Sequence, residues 1–397
     1  MTQTGLDRLL DRPEALAGRR YGLLSHCAAR SCDLWPIHMA LLRRGAPRPA
    51  RLFGPEHGFY GVEQDMIPSV DDIDPWTGLE TLSLYGDSDA SLRPAPEALA
   101  GLDLLVIDVQ DIGSRYYTYA ATAIWAAEVA LAEGLEVWVL DRPNPLGGLE
   151  IEGNLRDEDL VSFVGALRLP ARHGLTLGEL VRLDERRGRL PGSCRIWEIE
   201  GWSRKMLWND LDRPWTAPSP NIPTFEIAAI YPGLCLIEAT ELSEGRGTTR
   251  PFQLVGAPGI EAPALAAELN DRELPGLRFL PTAFRPQFHK HRGEICHGVE
   301  IRVTDYSSLR PYRSGVEVLA AIRKVAPEAL VWRKEPYEFV VDRPALDLLA
   351  GATALRDLLD AGRQPDSWCD TWAADEDAFR EERRDILLYP EGLEGAG

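Results

Sequence analysis

The chain has 397 residues, of which 45% are hydrophobic, so it is long enough to bury a large core in two or three domains. Its formal net charge is -19. This balance argues against a nucleic-acid partner, because binding to a phosphate backbone relies on excess Lys and Arg. A small or neutral ligand is therefore favoured.

The N-terminal sequence and the cysteine content indicate the compartment. Residues 1–35 carry charges where a secretory signal needs an apolar core. No run approaches the roughly 18 apolar residues of a membrane span. We therefore expect a cytoplasmic protein with no membrane partner. The six Cys residues form no CxxC pair, which predicts reduced, mostly packed thiols and argues against a Cys nucleophile. The sequence does not indicate an oligomeric state.

The first 240 residues alternate short apolar runs with helical periodicity, which predicts βαβ units and a mostly parallel sheet. The predicted strands are 21–26, 50–54, 81–86, 102–109, the run from 136, 164–174 and 194–202. The predicted helices are 34–45, 94–101, 116–134 and a helix from the Thr176–Glu179 capping box through Leu183.

The second part of the chain has a different texture. Residues 214–251 are rich in Pro and Gly and predict a long functional loop. Beyond it, a smaller α+β domain is predicted, with a strand at 296–305 and helices at 262–272, 314–325, 344–361 and 375–388. We place the domain boundary between residues 240 and 241, with the C-terminal domain completing a cleft.

Polar and ionisable residues follow four of the predicted strands. In open α/β sheets, ligands bind outside the carboxyl ends of the strands. The residues just after the predicted strands are Glu56, His57, Gln110, Asp111, Arg115, Asp141, Arg142, Asn144, Arg172 and His173. We expect these side chains to share one rim.

The stretch FGPEHGFYG, residues 53–61, carries the strongest candidate. Glu is not a preferred turn residue, so Glu56 between Pro55 and His57 needs a cause. It is either a turn or cap carboxylate, or a general acid or nucleophile held on a rigid turn.

Several other groups have two interpretations. Asp108 either caps or hydrogen-bonds nearby backbone, which we expect, or is a catalytic carboxylate. Asp141 and Arg142 either brace their loop or contact a ligand. The loop at residues 243–249, SEGRGTT, either cradles a ligand or shapes a turn. Aromatic residues either stack on a sugar or belong to the core: Tyr116, Tyr117, Tyr119, Trp215 and Tyr231.

Common cofactor and hydrolase motifs are missing from the sequence. It has no GxGxxG after a first strand, no GxxxxGK[ST] and no GxSxG. We predict no cofactor and no metal. A metal site built from His57, Asp111 and His173 is an open alternative.

Eight segments, in this order, resemble the motifs of the exo-β-N-acetylmuramidase family NamZ, formerly DUF1343. They are FGPEHGFYG (53–61), LYG (84–86), DVQDIGSRYYTY (108–119), LDRPNPLGG (140–148), RHGLTLGEL (172–180), APSPNIP (217–223), YPG (231–233) and SEGRGTTRPF (243–252). The resemblance implies a glycoside hydrolase that removes N-acetylmuramic acid from the non-reducing ends of peptidoglycan fragments. It also implies a Rossmann-like domain, a smaller C-terminal domain, and Glu56 as the catalytic glutamate. Many members of that family carry an export signal, whereas no such signal is readable in residues 1–35 of this chain.

For such a reaction we expect Glu56 to be the general acid, with its pKa raised behind Pro55 and Phe59. His57 and Asp111 would orient it or the substrate. Asp111 and Glu244 are the candidates for a second carboxylate, which an acetamido-assisted route would need only to steer the acetamide.

The predicted substrate is an amino sugar or muropeptide. One of Arg115, Arg172 and Arg246 is expected to hold the lactyl carboxylate of muramic acid. Asn221 and His173 are expected to bind hydroxyl groups, and the remaining predicted contacts are Tyr117, Asp141 and Arg142. The alternative functions are a metal-dependent hydrolase and a non-catalytic amino-sugar-binding protein.

Overall fold

The computed structural model describes residues 1–392. Its first part is a seven-stranded sheet with the strand order β3-β4-β2-β1-β5-β6-β7. The strands are β1 Tyr21–Ser25, β2 Arg51–Gly54, β3 Asp72–Ile73, β4 Glu80–Ser83, β5 Leu104–Asp108, β6 Glu136–Leu140 and β7 Arg195–Trp197. All neighbours pair in parallel except β3, which runs antiparallel to β4.

The central strands β1 and β5 are buried at every residue. Near-continuous aliphatic runs are typical of such strands, because helices cover both faces of a parallel sheet. The helices of this part are α1 Gly5–Leu10, α2 Ile37–Arg43, α3 Pro96–Leu99, α4 Tyr119–Ala132 and α5 Leu177–Arg186. Thr176 and Glu179 form the predicted capping box at the start of α5.

The second part contains a smaller antiparallel sheet in the order β8-β10-β9. Its strands are β8 Leu254–Ala257, β9 Leu277–Phe284 and β10 Cys296–Val303. The remaining helices are α6 Phe225–Leu234, α7 Ala262–Asp271, α8 Pro311–Val325, α9 Ala345–Ala350, α10 Ala354–Asp360, α11 Asp366–Cys369 and α12 Trp372–Arg383. The predicted α/β fold with a smaller α+β second part is confirmed, whereas the boundary at residue 240 stays a prediction.

One hydrophobic core joins the two sheets. It contains Leu24 and Ile107 from the first sheet and Val255 and Val299 from the second, all fully buried. A separate core cluster, which includes Leu23 and Val106, contacts the other face of the first sheet. The shared core fixes the position of the second part relative to the carboxyl ends of β1, β2 and β5.

The prediction of a continuous loop over 214–251 is wrong, because α6 lies within it. Pro232 sits inside this helix, where Pro is normally unfavourable. Packing against α8 compensates, since a Cβ on Gly233 would lie only 1.9 Å from the carbonyl oxygen of Pro311. Close approach of two helices through glycines is a tertiary effect that Pro and Gly content alone does not reveal.

Two other predicted elements also differ from the structure. Residues 164–174 form no strand: Phe163–Gly165 is a 3₁₀ turn, and Arg172 makes only isolated bridges to Ser114 and Glu152. Pro170 cannot donate to a strand ladder. The predicted helix 344–361 is two helices, α9 and α10, separated at Gly351, whose φ of 66° is left-handed.

The remaining sequence-based expectations concern the thiols and membrane spans. Four of the six cysteines are buried, which agrees with the prediction of mostly packed thiols, and none forms a disulfide in the structure. Within residues 1–392, no helix combines the length and the apolar character needed to cross a bilayer.

Candidate active site

A narrow cavity of about 30 Å³ lies where the two parts of the chain meet. This volume has room for only a few water molecules and is smaller than the range typical of small-molecule sites. Both parts of the chain line it: Glu56, His57, Asp65, Tyr116, Tyr117, Thr118, Val164, Ser219, Asn221, Ile222, Tyr231, Glu238, Arg246, Phe252, Tyr337 and Glu338. The lining is rich in carboxylates and tyrosines.

The turn at residues 54–61, which we call the catalytic turn, brings Glu56 from the end of β2 into the cavity. The amide of Gly58 donates to the carbonyl of Pro55 at 3.0 Å. His57 has a φ of 69°, a left-handed conformation that is uncommon for a residue other than Gly. Its ring Nδ1 lies 2.9 Å from the carbonyl oxygen of Glu63. These bonds hold the strained turn and fix the direction of the Glu56 side chain.

The Glu56 carboxyl group is buried, with 5% of the residue exposed. Thr118, just before α4, donates its hydroxyl to Oε2 at 2.6 Å, which leaves Oε1 for a proton and a ligand. Burial raises the pKa of Glu56, and the negative charge of Asp65 adds to the increase, while His57, Thr118 and Arg246 oppose it. The surroundings therefore favour the protonated form, as a general acid requires.

Two further carboxyl groups approach Glu56. One oxygen each of Glu56, Asp65 and Glu338 lies within 4.8 Å of the others. Asp65 is paired with the Nη2 of Arg246 at 3.1 Å. Glu338 accepts a hydrogen bond from the hydroxyl of Tyr85 at 3.1 Å. Two buried carboxyl groups and one half-buried carboxyl group at this separation are not all expected to be ionised without a cation or shared protons.

Arg246 neutralises part of this charge. Its Nη2 also pairs with Glu238 at 2.9 Å, and its Nη1 pairs with Glu244 at 3.0 Å. Its Nε has no hydrogen-bond acceptor within the described chain. Arg246 is thus the guanidinium at the centre of the acidic cavity wall, with its Nη atoms bound to carboxylates.

Glu244 lies behind this wall and does not line the cavity. Lys290 contacts it at 2.9 Å and His289 at 3.2 Å. Burial raises the pKa of Glu244, but Lys290, His289 and Arg246 outweigh burial and hold that pKa well below its usual range. The structure therefore gives Glu244 a charge-balancing position instead of the predicted place as second carboxylate.

Five of the predicted site residues line the cavity: Glu56, His57, Tyr117, Asn221 and Arg246. The Tyr117 hydroxyl is buried and has no hydrogen-bond partner within residues 1–392. Asn221 donates its amide to Oε1 of Gln64 at 2.9 Å. Both side chains thus bring polar groups to the cavity surface.

Two predicted arginines donate to backbone carbonyl groups through their Nη atoms. Arg115 donates to the carbonyls of Asn154, Leu169, Leu349 and Ala350, each within 2.9 Å. Arg172 donates to those of Leu146 at 2.6 Å and Leu309 at 3.4 Å. Neither lines the cavity. Their guanidinium groups therefore connect loops of the fold and do not reach the cavity.

The strand ends of β5 and β6 form a second polar cluster, the strand-end network, defined by Asp108, Asp141 and Arg142. Arg142 pairs with Asp108 through two bonds, at 2.5 and 2.9 Å. Asp141 accepts from the Thr176 hydroxyl at 2.7 Å and the Gly178 amide at 2.8 Å. Since these partners are internal, Asp141 and Arg142 brace the fold and do not line the cavity.

Asp111 and His173 also lie outside the cavity lining. The Nε2 of His173 is 3.5 Å from Oδ2 of Asp111. Together with His57 they do not form a cluster of ligand atoms within 4.8 Å, so within the described residues the alternative metal site is not assembled. The group that is assembled, and that could hold a cation, is Glu56, Asp65 and Glu338.

Sequence reasoning missed six polar residues of the cavity: Asp65, Thr118, Ser219, Glu238, Tyr337 and Glu338. Asp65 lies four residues after the FGPEHGFYG segment, and Thr118 lies within the DVQDIGSRYYTY segment, so proximity to these motifs was a usable signal. Glu238 lies five residues after the YPG segment. No local pattern marks Tyr337 or Glu338, because only the tertiary fold brings them to Glu56.

Comparisons with known proteins agree with this architecture. The family model for the N-terminal part of exo-β-N-acetylmuramidase NamZ matches residues 21–226, and the C-terminal model matches residues 229–389. The chain is 38% identical over 390 residues to the peptidoglycan β-N-acetylmuramidase NamZ of Bacillus subtilis (strain 168), covering 98% of this chain and 91% of that relative.

Two solved structures of DUF1343 family proteins from Bacteroides fragilis NCTC 9343 are also similar. One has a TM-score of 0.87 and 31% identity, covering 98% of this chain and 99% of the other. The second has a TM-score of 0.77 and 25% identity, covering 99% of this chain and 100% of the other. The chain therefore belongs to the exo-β-N-acetylmuramidase NamZ family of glycoside hydrolases.

Proposed function

We propose that this chain releases N-acetylmuramic acid from the non-reducing ends of peptidoglycan-derived fragments, with Glu56 as the general acid. The observation that carries the assignment of the acid is the Glu56 carboxyl group, which is buried in the cavity beside a second and a third carboxylate. Membership in the NamZ family supports the substrate class.

The chemistry assigned to Glu56 follows from its surroundings. Glycoside hydrolysis needs a proton donor for the leaving oxygen. A carboxylic acid can supply that proton near neutral pH only when its pKa is raised. Burial raises the pKa of Glu56, and Thr118 holds one of its oxygens, so the other is directed to the substrate. His57 then acts through the shape of the catalytic turn, which its left-handed backbone and its ring contact with Glu63 maintain.

The lactyl carboxylate of muramic acid distinguishes it from glucosamine. Of the three arginines predicted to bind it, Arg246 is the one that lines the cavity. Its Nη atoms bind carboxylates of the chain, and its Nε is buried without an acceptor. We therefore assign the lactyl group to Arg246, and the sugar hydroxyl or acetamide groups to Tyr117 and Asn221.

The decisive experiment compares the wild-type protein with Glu56→Gln on a chromogenic N-acetylmuramic acid β-glycoside. Gln cannot donate the proton, so we expect kcat to fall at least about 100-fold. The melting temperature should change little, because Gln fills the same space. Glu80→Gln is a matched control, since Glu80 is exposed on the neighbouring strand β4.

A Glu56→Gln enzyme that keeps more than about a tenth of the wild-type kcat would contradict the role of Glu56. Wild-type protein that binds the sugar in calorimetry but releases none would instead support the sugar-binding alternative. The location of the protein in the cell stays a prediction, and we propose a role in peptidoglycan recycling in the cytoplasm.

A further inference from the structure

We propose that a groove beside the cavity is a second saccharide site, which takes a neutral amino sugar of the N-acetylglucosamine type. The proposal goes beyond the function of the cavity, since it concerns other side chains and its test needs no turnover. We call the site the aromatic groove, and its defining residues are Trp208, Asn209, Trp215, Phe225, Glu226 and Tyr306.

The aromatic groove has the size of a ligand site, whereas the cavity around Glu56 is narrow. Its volume is about 500 Å³, against about 30 Å³ for the cavity. Sites for small ligands in proteins typically have volumes of about 300–1,000 Å³. A pyranose ring with its acetamido and hydroxyl groups is a ligand of this size class.

The groove and the cavity share one stretch of chain as their common wall. Asn221 and Ile222 line the cavity, and the residues that follow directly, 223–225, line the groove. The indole Nε1 of Trp215 donates to the carbonyl oxygen of Ile222 at 3.1 Å and so ties the groove to this wall. A sugar in the groove is therefore held against the segment that shapes the cavity.

Aromatic rings form the base of the groove. The rings of Trp208 and Trp215 meet edge to face with centroids 5.0 Å apart, and Trp215 is tilted against Phe225 at 6.0 Å. Tyr306 stacks on Phe225, with centroids 5.1 Å apart. Trp208 and Phe225 are buried, whereas Trp215 and Tyr306 are half-buried and leave part of their surface in the groove.

This arrangement resolves the two interpretations of Trp215 from the sequence. One part of the indole packs against the core, and another part lines the groove. The C–H groups on one face of a pyranose form an apolar surface that packs on such rings, while the sugar hydroxyls stay free for polar partners. We therefore assign the apolar face of the sugar to Trp215 and Tyr306.

Polar groups surround these rings. Asn209 and Thr224 are exposed at the edge of the groove, and Tyr306 adds a hydroxyl group. Glu226 uses its Oε1 to accept from the amide of Val303 at 3.2 Å, which leaves Oε2 for a ligand. A few polar groups around an apolar base are typical of small-molecule sites, because they fix the orientation of the ligand. Carboxylate and carboxamide groups suit the hydroxyl and acetamido groups of an amino sugar.

The charge of the groove selects a neutral sugar. Its guanidinium group, Arg213, is already paired with Asp7 at 2.5 Å and donates to the carbonyl of Arg30 at 3.0 Å. Arg302 reaches Glu226 only at 4.0 Å. Glu226 therefore leaves the groove negative, which disfavours the lactyl carboxylate of muramic acid through like-charge repulsion. N-acetylglucosamine carries no such charge.

Two larger grooves lack this combination of features. One, of about 600 Å³, is lined mainly by charged side chains that pair with one another, such as Arg272 with Glu268 at 2.9 Å. The other, of about 760 Å³, surrounds Trp35 and Trp76 and has Arg30 as its charged group. Of the three, the aromatic groove is the one that joins aromatic surface, hydroxyl-binding groups and a wall shared with the cavity.

The test is isothermal calorimetry of the full chain with N,N′-diacetylchitobiose, the neutral disaccharide of N-acetylglucosamine. Wild-type protein should bind it. Tyr306→Ala removes one of the two ring surfaces and should raise the Kd about tenfold. Trp76→Ala is the matched control, because it removes an exposed aromatic side chain from another groove and should leave the Kd unchanged.

Asn209→Ala provides a second variant if Tyr306→Ala does not fold. Asn209 is exposed, so its replacement should not disturb the core, and loss of its hydrogen bond to the sugar should raise the Kd about 2- to 10-fold. An unchanged Kd in the folded variants, or wild-type protein that binds no disaccharide at millimolar concentrations, overturns the proposal.

Variants of the cavity separate this site from the proposed function. Glu56→Gln and Tyr117→Phe should bind the disaccharide with the wild-type Kd, whether or not the wild-type protein hydrolyses a muramic acid glycoside. A Kd that rises in Tyr117→Phe and not in Tyr306→Ala would place the disaccharide in the cavity and overturn the second site. A Kd that rises in Trp76→Ala alone would place it in the groove around Trp35 and overturn the proposal as well.

Discussion

The cavity wall and the strand-end network are both buried clusters of acidic and basic residues, but their charges balance differently. In the strand-end network, Arg142 faces Asp108, and Asp141 receives hydroxyl and amide donors. In the cavity, four carboxylates line the wall beside one guanidinium. A balanced cluster stabilises the fold, whereas an unbalanced one must take up protons or a ligand.

Both clusters include residues that lie directly after strands of the first sheet. Glu56 follows β2, and Asp141 with Arg142 follows β6, each just before or after a Pro. Position at a strand end therefore predicts which residues are brought to the rim of the sheet. It does not predict whether neighbouring elements will satisfy them, which separates a brace from an active site.

The largest expected effect is on stability, from Arg142→Met. It leaves Asp108 buried without its cation, which typically costs about 3–5 kcal/mol. Chemical denaturation would measure this loss, and kcat of the folded fraction should stay near the wild-type value. Arg380→Met, which removes an exposed pair with Asp377, should cost less than about 1 kcal/mol. A large fall in kcat without destabilisation would place Arg142 in the active site, and the strand-end network would then not differ in role from the cavity wall.

A smaller effect, on binding, is expected from Arg246→Lys. Lys keeps the charge opposite Asp65 and Glu238 but lacks the planar fork of donors. The KM for an N-acetylmuramic acid glycoside should rise about 10- to 100-fold, corresponding to the loss of a charged hydrogen bond. The KM for the matching N-acetylglucosamine glycoside should change far less. Equal changes in KM for both substrates would contradict the assignment of the lactyl group to Arg246.

The smallest effect is expected from Tyr117→Phe. The Tyr117 hydroxyl has no partner within the described chain, so its removal should leave the free energy of unfolding within about 0.5 kcal/mol of wild type. Its loss as a substrate ligand should lower kcat/KM about 2- to 10-fold. A loss of stability with unchanged kcat/KM would show that the hydroxyl belongs with the structural groups.

Local patterns predicted much of the first sheet. The aliphatic run at 102–109 gave β5, and the Thr176–Glu179 capping box gave the start of α5. In both cases neighbouring residues carry the physical cause, namely burial on two faces or hydrogen bonds within one helical turn. Where long-range contacts decide, prediction was incomplete: α6 tolerates Pro232 because it packs on α8, and β9 tolerates Pro281 because it lies at a sheet edge.

The sequence by itself determined the family, the sheet and the position of Glu56. The position of Glu56 is local, because the residues from Pro55 to Gly58 form their turn directly after β2. Only the tertiary structure decided which charges surround Glu56. In the folded chain, Arg115, Arg172 and Asp141 hydrogen-bond to internal partners. Asp65, Arg246 and Glu338 line the cavity instead. The pKa of a buried carboxyl group depends on neighbours in space, and those neighbours come from distant parts of the chain.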